Sequence, residues 1–274
     1  MTPRFVIDCG SRSIKLHAAS PAGVSLRGTR SWDPIGNRNS VHEIGILLDG
    51  LVATMPAEAP VLVVGTAAAR RSRRLARAIG TACATRGWVY RTLSQRLEAR
   101  LIRDAFPDCG NCDIVNAGGG SIQIVGGGMS LLGFGITDLN LRFALSDVPS
   151  RRDCAAATAF VSRHLPELQG PFIYSGGELS YLRAAGATVG PDGRCAAAEF
   201  LRVAARVDAM DDAELRTVSP FDPGWSRGAV ASNAIVRACL ARSGSAFYIA
   251  SDVNIGDGII RRLASNAADS AWRR

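Results

Sequence analysis

Two short stretches of this chain set an acid or amide, a glycine turn and a hydroxyl in the same order. The first is Val6-Ile7-Asp8-Cys9-Gly10-Ser11-Arg12-Ser13; the second is Ile114-Val115-Asn116-Ala117-Gly118-Gly119-Gly120-Ser121. In each, an apolar run ends in Asp or Asn, turns through glycine and runs back. Glycine leaves successive backbone N–H groups able to wrap an anion with no Cβ in the way. Ser11, Ser13 and Ser121 add hydroxyl donors. Asp8, at the end of a buried strand, is placed to hold a divalent cation through water or to orient a nucleophilic water. Residues of these types at these spacings suit phosphate chemistry.

The elements that must carry these turns can be read from the hydrophobic period. Residues 4–9, 13–19 and 23–30 read as an antiparallel run of three strands. Residues 41–55 have helical spacing, 61–64 form a buried-strand run, 70–86 a basic helix, 88–93 a strand, and 94–106 a helix capped by Ser94. The opening then recurs, with strands at 113–117, 121–125 and around 131–136. Helices follow at 152–168, 179–185, 196–207 and 229–243, with strands near 172–174 and 246–251 and a last helix from about Gly256. The repeat suggests duplication of one α/β unit, giving domains 1–111 and 112–274, the second with extra helices.

The bulk properties are those of a globular chain of 274 residues, 47% hydrophobic and 20% charged. No apolar run is long enough for a spanning helix, and the opening residues carry no signal-peptide pattern, so a cytoplasmic location is expected. The net charge of +8 is almost all arginine, Lys15 being the one lysine. Arginine suits phosphate and carboxylate partners, although a high-GC genome writes the same bias. With no Gly-Lys-Ser/Thr, a Walker-type loop is excluded. The run Arg70-Arg71-Ser72-Arg73-Arg74 reads as a solvated helix face rather than a nucleic-acid surface. Seven cysteines are scattered without a secreted framework. Cys109-Gly110-Asn111-Cys112 is a CxxC, but it lacks a second ligand pair and precedes a strand rather than opening a helix, so it reads as a plain loop.

Several segments together resemble the exopolyphosphatase/guanosine-pentaphosphatase (Ppx/GppA) family. Phe5 to Leu16 is similar to its first phosphate motif, Gly65-Thr66-Ala67-Ala68-Ala69-Arg70 to its A-T-x-A-x-R segment, and Leu93 to Leu101 to its I-S-G-x-E-E-A-R-L helix start. Asp113 to Val125 resembles the second phosphate motif. Ser175-Gly176-Gly177, Gly228-Ala229 and Ser251 to Ile260 are looser matches, all in family order. The resemblance implies an α/β fold of the actin/Hsp70/sugar-kinase superfamily, with two ribonuclease-H-like domains around a central phosphate-binding cleft. It also implies Mg²⁺- or Mn²⁺-dependent hydrolysis of a terminal phosphate. Asp8, Gly10, Ser11, Arg12 and Ser13 would form the first clamp, with Asp8 the metal ligand. Thr66 and Arg70 would contact phosphate, and Glu98 would position the water. Gly118, Gly119, Gly120 and Ser121 would form the second clamp.

The chain departs from the family pattern where charge matters. Asn116 and Gln123 stand in place of an Asp and a Glu, Arg12 in place of an Asn, and Leu97 in place of the first Glu of the pair. An amide keeps the shape but cannot act as a base and adds no charge for a metal. Three readings follow: a divergent phosphatase using Glu98 and Asp8, a non-catalytic binder of nucleotide or polyphosphate, and a phosphotransferase. The expected partner is a phosphorylated small molecule, nucleotide or polyphosphate, with no membrane or nucleic acid; a homodimer stays open. Glu178, in the third glycine turn, reads as a helix-start residue, with a substitute carboxylate as the alternative.

Overall fold

The computed structural model describes residues 5–20, 23–34, 40–53, 55–56, 59–146 and 148–265. Arg4 of the expected first strand and Thr54 of the expected 41–55 helix lie outside them. Through Asp108 the elements are β1 (Phe5–Cys9), β2 (Ser13–Ser20), β3 (Gly23–Ser31), α1 (Ser40–Val52), β4 (Val61–Gly65), α2 (Ala67–Arg71), α3 (Arg73–Ala84), β5 (Val89–Thr92) and α4 (Gln95–Ala105). They continue as β6 (Ile114–Ala117), β7 (Ile122–Val125), β8 (Met129–Leu132), α5 (Ile136–Phe143), α6 (Arg151–His164), β9 (Ile173–Ser175) and α7 (Glu178–Ala184). The chain ends with β10 (Arg194–Ala196), α8 (Ala197–Val207), α9 (Asp212–Thr217), α10 (Ala229–Ser243), β11 (Phe247–Ser251) and α11 (Ile255–Ala264).

The chain forms two compact units. One takes residues up to Asp108 together with those from Asn254 on; the other is Cys109–Val253. This corrects the expected division at 111/112 in its last segment. Helix α11 packs on α4 and β1 of the first unit, and a Cβ at Gly258 would overlap the Leu101 carbonyl. Glycine there lets the two helices approach backbone to backbone.

In the first unit the strand order is β3-β2-β1-β4-β5. β1, β2 and β3 pair antiparallel, while β4 and β5 continue parallel from β1. One face of β1 and β2, through Ile7, Cys9, Ile14 and Leu16, packs against Ile44 and Leu48 of α1 and Leu75, Ile79 and Cys83 of α3. The expected helix over 70–86 is broken at Ser72, whose backbone is extended and whose Oγ accepts the Leu75 N–H at 3.2 Å. A serine that satisfies one of the first N–H groups starts a new helix rather than continuing the old one.

The second unit repeats the order. Its sheet runs β10-β11-β9-β6-β7-β8; apart from the edge strand β10, β8-β7-β6-β9-β11 matches β3-β2-β1-β4-β5 in pairing and direction. The duplication read from two glycine turns therefore extends to whole sheets. Helix α10 is buried on nearly every side, as an apolar helix without a polar face must be. Two expectations fail here. The third strand is Met129–Leu132 rather than about 131–136, and α5 follows it. The Asp138 carboxylate accepts the Gly135 N–H at 2.9 Å, and this cap converts an apolar run into a helix start. β10 and α9 were not anticipated. No helix among the described residues is long and apolar enough to cross a membrane.

Candidate functional site

In the first unit the parallel strands β1, β4 and β5 end level, with Cys9 opposite Gly65 and Gly65 opposite Thr92. Ligands of open α/β sheets bind beyond such carboxyl ends, and Asp8, Thr66, Arg70 and Glu98 all come from this edge. Gly10 N–H donates to the Ser13 carbonyl at 3.0 Å, closing the β1–β2 turn. A Cβ on Gly10 would press on that same carbonyl. The Trp32 indole N–H donates to the Gly10 carbonyl at 2.9 Å and fixes the turn from β3. Inside it Asp8 Oδ1 and Ser11 Oγ are buried without a hydrogen-bond partner. Buried polar atoms are rarely left so unless a ligand or water completes them.

Burial pushes the Asp8 carboxyl up to about 6, with the Lys15 ammonium opposing. Lys15 is the direct cross-strand neighbour of Asp8. Glu98 lies in the first turn of α4, a helix capped by Ser94 Oγ on Leu97 N–H at 3.2 Å. Burial raises it to about 7, against the Arg70 guanidinium and with help from the Asp8 charge. The Arg70 Nη1 stands 3.0 Å from Glu98 Oε1 and also donates to the Leu93 carbonyl at 2.9 Å. Desolvation thus outweighs both the Arg70 ion pair and the favourable first-turn helix position. Thr66 precedes α2 and its Oγ1 reaches the Cys9 carbonyl at 3.5 Å.

The second unit places its turn at the same sheet position with different chemistry. Gly118 N–H donates to the Ser121 carbonyl at 2.9 Å, as Gly10 does to Ser13. Asn116 is paired with Gln123 in register, and its Nδ2 donates to Gln123 Oε1 at 2.7 Å. Gln123 Nε2 donates to Ser121 Oγ at 2.9 Å, and Ser175 Oγ to Asn116 Oδ1 at 3.4 Å. The glycine turn is braced from behind by Ile136 and Thr137, whose N–H groups donate to the Gly118 and Gly119 carbonyls. Any side chain at Gly135 would overlap this backbone.

No family model matches the chain, and none of the curated proteins does. Solved structures do. An exopolyphosphatase from Cytophaga hutchinsonii is similar at a TM-score of 0.75 with 13% identity, covering 96% of this chain and 97% of that one. An exopolyphosphatase-like protein reaches 0.71 with 20% identity over 96% and 99%. The Aquifex aeolicus member of the Ppx/GppA family reaches 0.70 with 17% identity over 97% and 98%. The chain has the Ppx/GppA fold.

Within this Ppx/GppA fold, the expected site residues divide between the two units. The structure brings Asp8, Ser11, Thr66, Arg70 and Glu98 to one sheet edge, and Asn116, Gln123, Ser121 and Ser175 to another. Arg70, expected as a phosphate contact, holds Glu98 as well. Glu178 opens α7 directly after Gly177, the helix-start position expected of it. It is buried, accepts the Tyr248 hydroxyl at 2.5 Å, and is raised to about 7 by desolvation, against that hydrogen bond. Sequence reasoning missed Lys15 and Trp32 as site residues. The isolation of one lysine among arginines was a usable signal for the first; the second becomes visible only once β3 folds back.

Proposed function

We propose that the chain is a divergent Ppx/GppA-like phosphatase, hydrolysing a terminal phosphate of a polyphosphate, nucleotide or small phosphorylated metabolite by metal-assisted water attack. The observation that carries this reading is the pair of buried carboxyls, Asp8 and Glu98, at the carboxyl edge of β1, β4 and β5. Glu98 titrates near neutrality, where a general base works best, and Arg70 fixes the orientation of its carboxylate. In this reading Glu98 accepts the proton of the attacking water as the water oxygen bonds phosphorus. The bond from phosphorus to the leaving oxygen breaks in line. Thr66, Arg70 and the turn from Gly10 to Ser13 bind the phosphate.

Among the described residues no cluster of three metal-ligating side chains exists. Asp8 nevertheless fits Mg²⁺ or Mn²⁺: its buried Oδ1 is a hard oxygen without a partner. Magnesium is commonly held by one or two carboxylates plus substrate phosphates and water. Bound there, the ion would neutralise charge on the phosphate oxygens. The closed amide network of Asn116, Gln123 and Ser121 favours a second reading, a binder of nucleotide or polyphosphate without turnover. A phosphate-release panel decides between them, with Mg²⁺ or Mn²⁺ and polyphosphate, guanosine pentaphosphate, nucleotides and sugar phosphates as substrates. Release from at least one substrate, dependent on metal, is expected. No release from any, together with nucleotide-dependent thermal stabilisation, would replace the phosphatase with the binder.

A further inference from the structure

All seven cysteines are thiols and lie among the described residues. Cys9, Cys83, Cys154, Cys195 and Cys239 are buried; Cys109 and Cys112 are half-buried and share one turn at the first residues of the second unit. The Cys112 N–H donates to the Cys109 carbonyl at 3.1 Å, and Gly110 takes the positive φ of +58° that the turn requires. A β-turn holds its end Cα atoms within about 7 Å, and a disulfide spans Cα separations of about 4.4–6.8 Å. The turn therefore sets the two Cα atoms at a separation that a disulfide can span. Cys112 Sγ lies against the Pro171 carbonyl at 3.2 Å, beside the segment that leads into β9.

We propose that Cys109 and Cys112 form a reversible disulfide, a modification site that fastens the turn leading into β6. The oxidant is a low-molecular-weight disulfide. The thiolate of one cysteine attacks it, releasing one small thiol and leaving a mixed disulfide. The second cysteine then attacks the protein sulfur, loses its proton and expels the second small thiol. Two protein thiols and one disulfide become one protein disulfide and two thiols. Exposure restricts the reaction to this pair, since the remaining five sulfurs are buried. The product exchanges the Cys112 S–H donor, now facing Pro171, for a covalent closure of the turn, while Asn116 lies four residues further along the same chain.

The test uses the full chain and oxidised glutathione as probe. Protein equilibrated over a range of reduced-to-oxidised glutathione is quenched in acid, alkylated with N-ethylmaleimide in denaturant, and weighed intact and after digestion. Reduced protein is expected to take one maleimide at each of its seven cysteines. Oxidised protein should take two fewer, retain no glutathione, and yield a Cys109–Cys112 peptide lighter by two hydrogens. Cys112→Ser should instead accumulate a glutathione adduct on Cys109, because the resolving thiol is gone. Full alkylation at every ratio, a stable glutathione adduct on the wild-type chain, or oxidation at any other cysteine would overturn the proposal. None of these outcomes depends on phosphatase activity.

Discussion

The two units use the same hairpin at the same place in the same sheet, and fill its paired position in opposite ways. In the first unit Asp8 faces Lys15 across β1 and β2; in the second Asn116 faces Gln123 across β6 and β7. The amides satisfy each other and Ser121. The first hairpin leaves Asp8 Oδ1 and Ser11 Oγ without protein partners. It also sits beside a carboxyl that burial makes reluctant to ionise. One copy of the motif is closed on itself, and the other leaves buried polar atoms without a protein partner. A duplicated scaffold can thus keep its backbone geometry while the side chains of its two turns diverge.

The contrast can be broken most directly at Glu98. Glu98→Gln keeps the shape and the Arg70 contact but removes the proposed base, and phosphate release should fall by about 10²–10⁴-fold with Tm shifted by only a few degrees. Equal turnover in that variant would move the chemistry elsewhere. The second unit can be converted toward the first by Asn116→Asp with Gln123→Glu. Two carboxylates placed where an amide pair now bonds should cost about 2–4 kcal/mol in chelator. Millimolar Mg²⁺ should restore part of that loss, with tighter metal binding by calorimetry. Unaltered stability and unaltered metal affinity would mean that these positions are not the counterparts of a metal-binding pair.

The smallest effects compare two serines. Ser121→Ala removes the acceptor of the Gln123 amide and should cost about 1–2 kcal/mol in urea unfolding. Ser11→Ala removes a hydroxyl that has no protein partner, so its unfolding free energy should stay within about 0.5 kcal/mol of wild type. If Ser11→Ala proved the more costly, the first hairpin would be as self-contained as the second.

Much of this contrast was legible in the residues. The glycine turns and the alternation around them announced both hairpins, although the pairing of Asp8 with Lys15 needed the register of β1 and β2. The amides at Asn116 and Gln123 marked the second motif as altered, although their mutual hydrogen bond needed the register of β6 and β7. Other parts depend on distant packing. Arg70 and Glu98 are 28 residues apart by their numbering and meet only because β4 and β5 end level. The apolar run near Ile136 looks like strand until Asp138 caps Gly135. The return of α11 to the first unit rests on Gly258 against Leu101, a contact with no local signature.

The pH dependence of kcat/KM for metal-dependent phosphate release tests the role of Glu98 most directly. With Glu98 as the base, a carboxyl raised to about 7 is protonated and idle in mild acid. The rate should therefore climb with pH through about 7, dropping tenfold per unit below it and more steeply once Asp8, raised to about 6, takes up its proton. A profile that stays level from about pH 5 to pH 9 would contradict Glu98 as the base.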